Sequence, residues 1–225
     1  NIIAHDLKNP FLSIQMAVNG LLRQAQTGTG DPDPGQTLEL VSRTVSDTLM
    51  TIDKLAAWGQ AQAGSLAIKP RMVDMHPLVA SAAHDIPALT AKQCTVTIHT
   101  RKPSQMHADP EVLRTVLHNL LSNAAKFSHP SGIIRSRASA VRCGCLVCVH
   151  DKGIGIPGQH AKKILSIDNR FIQTGTAGES GSGIGLLICR ELVERHFGQI
   201  RVKSRPGWGT IVLFTLRSGT MPPED

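Results

Sequence analysis

The sequence predicts an α+β chain: a helical hairpin that forms a dimeric four-helix bundle, followed by a two-layer α/β sandwich with a mixed sheet. Three observations carry this. Two apolar heptad seams fill the first part of the chain, and a break dense in Gly, Pro and Asp separates them. From Lys69-Pro70 onward helical periodicity gives way to alternating strands and glycine-rich loops. The 225 residues suffice for one large domain or two modest ones. The boundary is placed at residue 69, giving a hairpin over 1–69 and a sandwich over 70–225.

In the first helix Leu7, Phe11, Ile14, Val18, Leu21 and Ala25 recur at spacings of four and three. Thr27 to Gly35 is rich in turn residues and ends it. Leu38, Val41, Val45, Thr48, Ile52 and Leu55 form the second seam, which runs out near Gly64. One hairpin cannot cover both seams, so a second copy is the expected partner. The first helix opens without a convincing cap and reads as part of a longer helix. Any membrane anchor would then lie outside this chain.

Beyond the boundary, Val73 to Ala91 reads as helix interrupted near Pro87, and Thr95 to His99 alternates as a strand. Asp109-Pro110 gives an N-cap followed by proline at the first helical position, opening a helix to Phe127. Strands are expected at 133–139 and 141–149, a glycine-rich stretch at 152–185, a helix at 185–197, and closing strands at 199–204 and 209–216. Antiparallel hairpins mixed with helices give the α+β class.

Composition narrows the function. The chain is 41% hydrophobic, enough for a core. No stretch approaches the ~20 uninterrupted apolar residues of a membrane span, so this portion is expected to be soluble and cytoplasmic. Lys and Arg number 24 against 17 Asp and Glu, a net charge of +7, but the basic residues are scattered. With five Phe, two Trp and no Tyr there is no stacking platform, and no nucleic-acid partner is expected. Five cysteines, an odd number, argue against a disulfide framework. Cys143, Cys145 and Cys148 crowd together, but on one strand Cys143 and Cys145 share a face and Cys148 points away. They read as core residues rather than metal ligands.

Three blocks converge on nucleotide chemistry. In Asn119-Leu-Leu-Ser-Asn123-Ala-Ala-Lys126, positions 119, 123 and 126 lie within about 60° of one another on a helix. Two amides and an ammonium then share one face, opposite Leu113, Leu117, Leu120 and Leu121. That set suits hydrated Mg²⁺ and phosphate oxygens. Asp151-Lys-Gly153-Ile-Gly155 follows a buried strand; its acid can accept a hydrogen bond from an amine, and its glycines let backbone approach a flat ligand. Gly181-Ser-Gly183-Ile-Gly185 runs straight into a helix, whose N-terminal amides can cradle phosphate. Each block alone is weak. Their order and spacing are not.

With His5-Asp-Leu-Lys-Asn-Pro10 at the start, these blocks resemble the transmitter core of bacterial sensor histidine kinases. That core joins a dimerisation and phosphoacceptor hairpin to an ATP-binding domain of the superfamily shared with gyrase, mismatch-repair proteins and a heat-shock chaperone. Residues 5–10 resemble the H-box, 119–126 the N-box, 151–155 the G1 box and 181–185 the G2 box. Arg170-Phe171 resembles the F-box, and Gly207-Trp-Gly209-Thr210 the last glycine motif. The likeness runs from His5 to about Leu216. Leu165 stands where phenylalanine is common, and Ile184 replaces leucine; neither removes a ligand.

The resemblance implies ATP and Mg²⁺ as cofactors, with His5 as phosphoacceptor and Asp6 polarising its ring. Asn119 and Asn123 would hold Mg²⁺, and Lys126 would meet phosphate. Asp151 would bind the adenine amine, Gly153 and Gly155 would border it, and Gly181, Gly183 and Gly185 would wrap the triphosphate. Arg170, Phe171 and Thr210 join the ATP site, and residues 158–180 would form a lid. The expected partners are a second copy and the receiver domain of a response regulator. Asn9, one turn after His5, is linked by the family pattern to phosphatase activity. The residues support His5 separately: it lies roughly 140° from the Leu7/Phe11 seam, beside a proline that leaves the carbonyl of residue 6 unbonded. Two other readings remain: a dimeric module that binds ATP without transferring it, and an ATPase of the gyrase type. The latter typically has glutamate at the position of Asn119 and no H-box hairpin.

Overall fold

The computed structural model describes residues 2–27, 33–62, 68–101, 105–141, 144–161, 163–166, 171–179 and 183–217. The chain divides into two compact units, residues 1–59 and 60–225.

The first unit consists of two long helices, α1 (Ile2–Thr27) and α2 (Pro34–Gln62), the latter running a few residues past it. Asp33 caps α2: its Oδ1 accepts from the Gly35 amide at 3.0 Å, and Pro34 takes the position where a missing N–H costs nothing. Pro10 lies inside α1. Of the described seam residues, Phe11, Val18, Leu38, Val45 and Ile52 are exposed in the single chain. Among the described residues no helix is long and apolar enough to cross a membrane.

The second unit is built on a five-stranded mixed sheet of order β2-β4-β5-β7-β6. Its strands are β2 (Thr95–Thr100), β4 (Ile133–Val141), β5 (Gly144–Asp151), β6 (Ile200–Arg205) and β7 (Gly209–Arg217). β2 runs parallel to β4, and the other neighbours are antiparallel. Along β5 burial alternates, with Cys145, Val147, Val149 and Asp151 turned inward. Helix α5 (Pro110–Phe127) packs against both α3 (Met75–His84) and α7 (Gly185–Arg195), and all three meet the sheet. They bury Val79, Leu113, Val116, Leu117 and Ile188 completely. α5 begins as the sequence predicts: Asp109 Oδ1 accepts from the amides of Glu111 and Val112 at 2.9 and 3.2 Å.

Two expectations need correction. Residues 71–74 form a strand, β1 (Arg71–Asp74), antiparallel to β3 (Gln105–Ala108). The helix begins only at Met75, because Asp74 caps it by accepting from the His76 amide at 3.0 Å. Pro87 opens its own short helix, α4 (Pro87–Ala91), as the interruption implied. The strand read over 141–149 is β5, running from Gly144 to Asp151, whereas Val141 ends β4 instead of opening the next strand. Cys145 is buried, its thiol pushed up to about 11 by burial, while Cys148 is half-buried. Cys143 lies outside the described residues.

Candidate functional site

α5 sets the first group of side chains. Asn119 is buried, Asn123 and Lys126 are half-buried, and all three lie along one helix. The Asn119 amide nitrogen donates to the Thr115 carbonyl at 2.9 Å. That bond commits one end of the carboxamide to the helix and leaves Oδ1 for another partner. Oδ1 lies on the side of Gly185, the first residue of α7. The amide block and the last glycine of the third block therefore meet. Gly183 is described and exposed; Gly181 and Arg170 lie outside the described residues.

Asp151 ends β5 on the buried side of the sheet, at only 6% exposure. Its Oδ1 accepts from the Gly153 amide at 2.9 Å and the Thr210 amide at 3.2 Å. Burial outweighs those bonds and pushes the carboxyl up to about 6. Thr210 is its register partner on β7, so these two predicted residues touch. Gly153 is needed sterically: a Cβ there would run into the carbonyl of Phe127, at the end of α5. The Ile154 amide bonds that same carbonyl at 3.1 Å, tying the loop after Asp151 to the end of the amide helix. Gly155 adopts φ +70°, where a side chain would also meet the Arg205 carbonyl.

Phe171 stacks on His160 of α6 (Gly158–Ala161), with ring centroids 4.3 Å apart. His5, Asp6 and Asn9 lie on α1, but their side chains are outside the described residues.

The site also contains residues that the sequence did not single out. Ser204 Oγ accepts from the Ile156 amide at 2.9 Å and shares a 2.8 Å hydrogen bond with Thr210, fastening the loop after Asp151 to β6. Lys92 is buried, with Nζ 2.6 Å from Glu179 Oε1. A serine in a basic strand and a lysine after a polar turn carry no local signal of either role.

Among the described residues no group of three or more His, Cys, Asp or Glu side chains could hold a metal on its own. The two carboxamides fit the other way of binding Mg²⁺, in which one or two protein oxygens join waters and substrate phosphates.

Residues 108–220 match the histidine kinase-, DNA gyrase B- and HSP90-like ATPases. The chain belongs to that family. Every described residue of the nucleotide blocks falls within the ATPase match. The chain is 29% identical over 225 residues to the sensor histidine kinase TmoS of Ectopseudomonas mendocina, covering 99% of this chain and 23% of TmoS. It is 31% identical over 219 residues to the adaptive-response sensory kinase SasA of Synechococcus sp. (strain CC9311), covering 96% of this chain and 55% of SasA. The chain thus spans between about a quarter and just over half of these relatives. The histidine kinase AdeS of Acinetobacter baumannii shares the fold at a TM-score of 0.77 and 16% identity, over 96% of this chain and 98% of that one.

Proposed function

We propose that the chain is the transmitter portion of a two-component sensor histidine kinase, transferring the γ-phosphoryl group of ATP to His5. The observation that carries the nucleotide site is the meeting of Asn119 and Asn123 with the opening glycine of α7, a helix N-terminus of the kind that suits phosphate. Asp151, tied to Thr210 and Gly153, supplies the adenine end of the same site. Asn119 and Asn123 would hold Mg²⁺, which when bound supplies positive charge to the phosphates. Lys126 and the amides near Gly181, Gly183 and Gly185 add to that neutralisation, the main protein contribution to phosphoryl transfer. Gly153 and Gly155 let the loop border the base, and Arg170 and Phe171 join the ATP site by their resemblance to the F-box.

In the transfer, a neutral nitrogen of His5 attacks the γ-phosphorus and the bond to the ADP oxygen breaks. Asp6 accepts a hydrogen bond from the other ring nitrogen and stabilises the imidazolium character that develops. The phosphohistidine then donates to an aspartate on a response-regulator receiver. The reading includes a homodimer, supported by the exposed seam residues Phe11, Val18, Leu38, Val45 and Ile52. It places this portion in the cytoplasm, with membrane attachment through other segments. The test is incubation with γ-labelled ATP. An acid-labile, base-stable label should form on wild type and be absent from His5→Gln; a label retained by that variant would falsify the assignment.

A further inference from the structure

Lys92 is only 6% exposed, although its segment, Thr90-Ala-Lys-Gln, looks like an ordinary solvated turn. It closes α4 as its C-cap. Its ammonium meets four acceptors. The carbonyls of Ala125 and Lys126 lie 3.1 and 2.6 Å away, Thr176 Oγ1 2.7 Å and Glu179 Oε1 2.6 Å. Ala125 and Lys126 belong to the last turn of α5, whose carbonyls have no helical partner. A cation there also suits the negative end of the helix dipole.

The other half of the contact is a closed turn. The Gly175 amide donates to the Glu179 carbonyl at 2.9 Å, and the Ala177 amide to Glu179 Oε2 at 2.9 Å. The Thr176 amide donates to the Lys126 carbonyl at 3.1 Å. Gly175 leaves no room for a side chain: a Cβ would run into the Glu179 carboxylate and lie 2.7 Å from Lys126 Cγ. Glu179 is held below the usual carboxylate range by the Lys92 bond and by the amides, against the opposing effect of burial.

A desolvated ion pair of this kind contributes little net stability, because each charge gives up its water. Its effect is to fix geometry. What it fixes is the backbone of Lys126 on one side and, on the other, the chain about to enter Gly183 and Gly185. We propose that Lys92 and Glu179 are positioning residues for phosphate binding: their ion pair clamps the Gly175–Glu179 turn to the end of α5, so that Lys126 and the glycine segment address the same phosphates. This rests on the ATP reading above.

The clamp bonds Lys126 and the Gly175–Glu179 turn directly and reaches the Asp151 loop only through the backbone of Phe127, so ATP should lose more than adenosine. Calorimetric titration of the whole chain with each, in Mg²⁺, reads this directly. Glu179→Gln should weaken ATP binding about tenfold, as loss of one charge-assisted bond implies. Adenosine binding should fall by less. Thr176→Val, which removes a single hydroxyl from the cluster, should act in the same direction and serves if Glu179→Gln does not fold. Unchanged ATP affinity, or equal losses for ATP and adenosine, would overturn the positioning role. A wild-type chain that binds neither would overturn the ATP reading itself.

Discussion

Gly185 opens α7 against the carboxamide of Asn119: a Cβ on Gly185 would stand 3.2 Å from Asn119 Oδ1 and 3.8 Å from Asn123 Nδ2. Two blocks far apart in sequence thus share one steric boundary, and glycine keeps it open.

Gly185→Ala tests that boundary. The new methyl presses on Asn119, which is buried and anchored to Thr115, so its oxygen must shift by a few tenths of an ångström from the proposed Mg²⁺ position. The helix itself should tolerate the change, since alanine is favoured over glycine by roughly 1 kcal/mol in a helix interior and by less at its first turn. The expected result is an apo unfolding temperature at or slightly above wild type with weakened Mg-ATP binding. Unchanged binding would show that the carboxamide does not need its present position.

Asp151 makes the pH behaviour of the apo protein predictable. Its carboxyl is raised from 3.8 to about 6 on folding, so the folded state holds the proton more tightly than the unfolded chain. The protonated group therefore favours folding below about pH 4, and that advantage is lost as pH rises to about 6. At pH 8 the ionised, buried group costs on the order of 2–3 kcal/mol. Asp151→Asn removes the charge and can still accept from Gly153 and Thr210. Thermal unfolding at pH 8 should show the apo variant more stable than wild type. ATP binding should fall in the variant, and in wild type as pH drops below about 6, because an ionised carboxylate is a stronger acceptor for the proposed adenine amine contact than a neutral one.

Legibility followed the length of the pattern. α5 was readable because its periodicity spans 18 residues and Asp109-Pro110 marks its start. Asn119, Asn123 and Asp151 were readable because helix and strand periods fix which side chains project together. β1 and β3 were not: four residues each cannot establish an alternation, and only their mutual pairing makes them strands. The change from β4 to β5 is set a few residues early by the sequence, at residue 140, because no Asn-Gly or Asp-Gly pair marks where β4 stops at Val141 and β5 starts at Gly144. Lys92 was invisible for a different reason. Its burial depends on a glutamate from a distant segment, and composition at either end says only that both are charged.

Asn123→Ala separates metal binding from folding. Asn123 is half-buried on the site face of α5, whereas Leu117, Leu120 and Leu121 carry the packing. Removing its amide should abolish or strongly weaken Mg-ATP binding and leave the unfolding of the apo protein within about 0.5 kcal/mol of wild type. Wild-type nucleotide affinity in this variant would remove Asn123 from the proposed metal site.

Asn9 is expected to carry a second activity, dephosphorylation of the receiver. It follows His5 by one turn of α1, and residues four apart on a helix share a face with Cβ atoms about 5–6 Å apart. Hydrolysis of an aspartyl phosphate needs a water held in line with the bond that breaks. A neutral amide can both accept from and donate to such a water without itself attacking phosphorus. An acid at that position would repel the phosphate, and an alanine would leave the water unheld. Asn9 also precedes Pro10, a position where helical backbone is disfavoured, so a purely conformational role makes a competing forecast. The two separate on one variant. If Asn9 orients water, Asn9→Ala leaves ATP-dependent labelling of His5 largely intact and slows loss of label from the phosphorylated receiver by at least about tenfold, the scale of a positioned acid–base group. If Asn9 only shapes the helix before Pro10, both activities fall together, and equal losses would exclude it from the hydrolytic step.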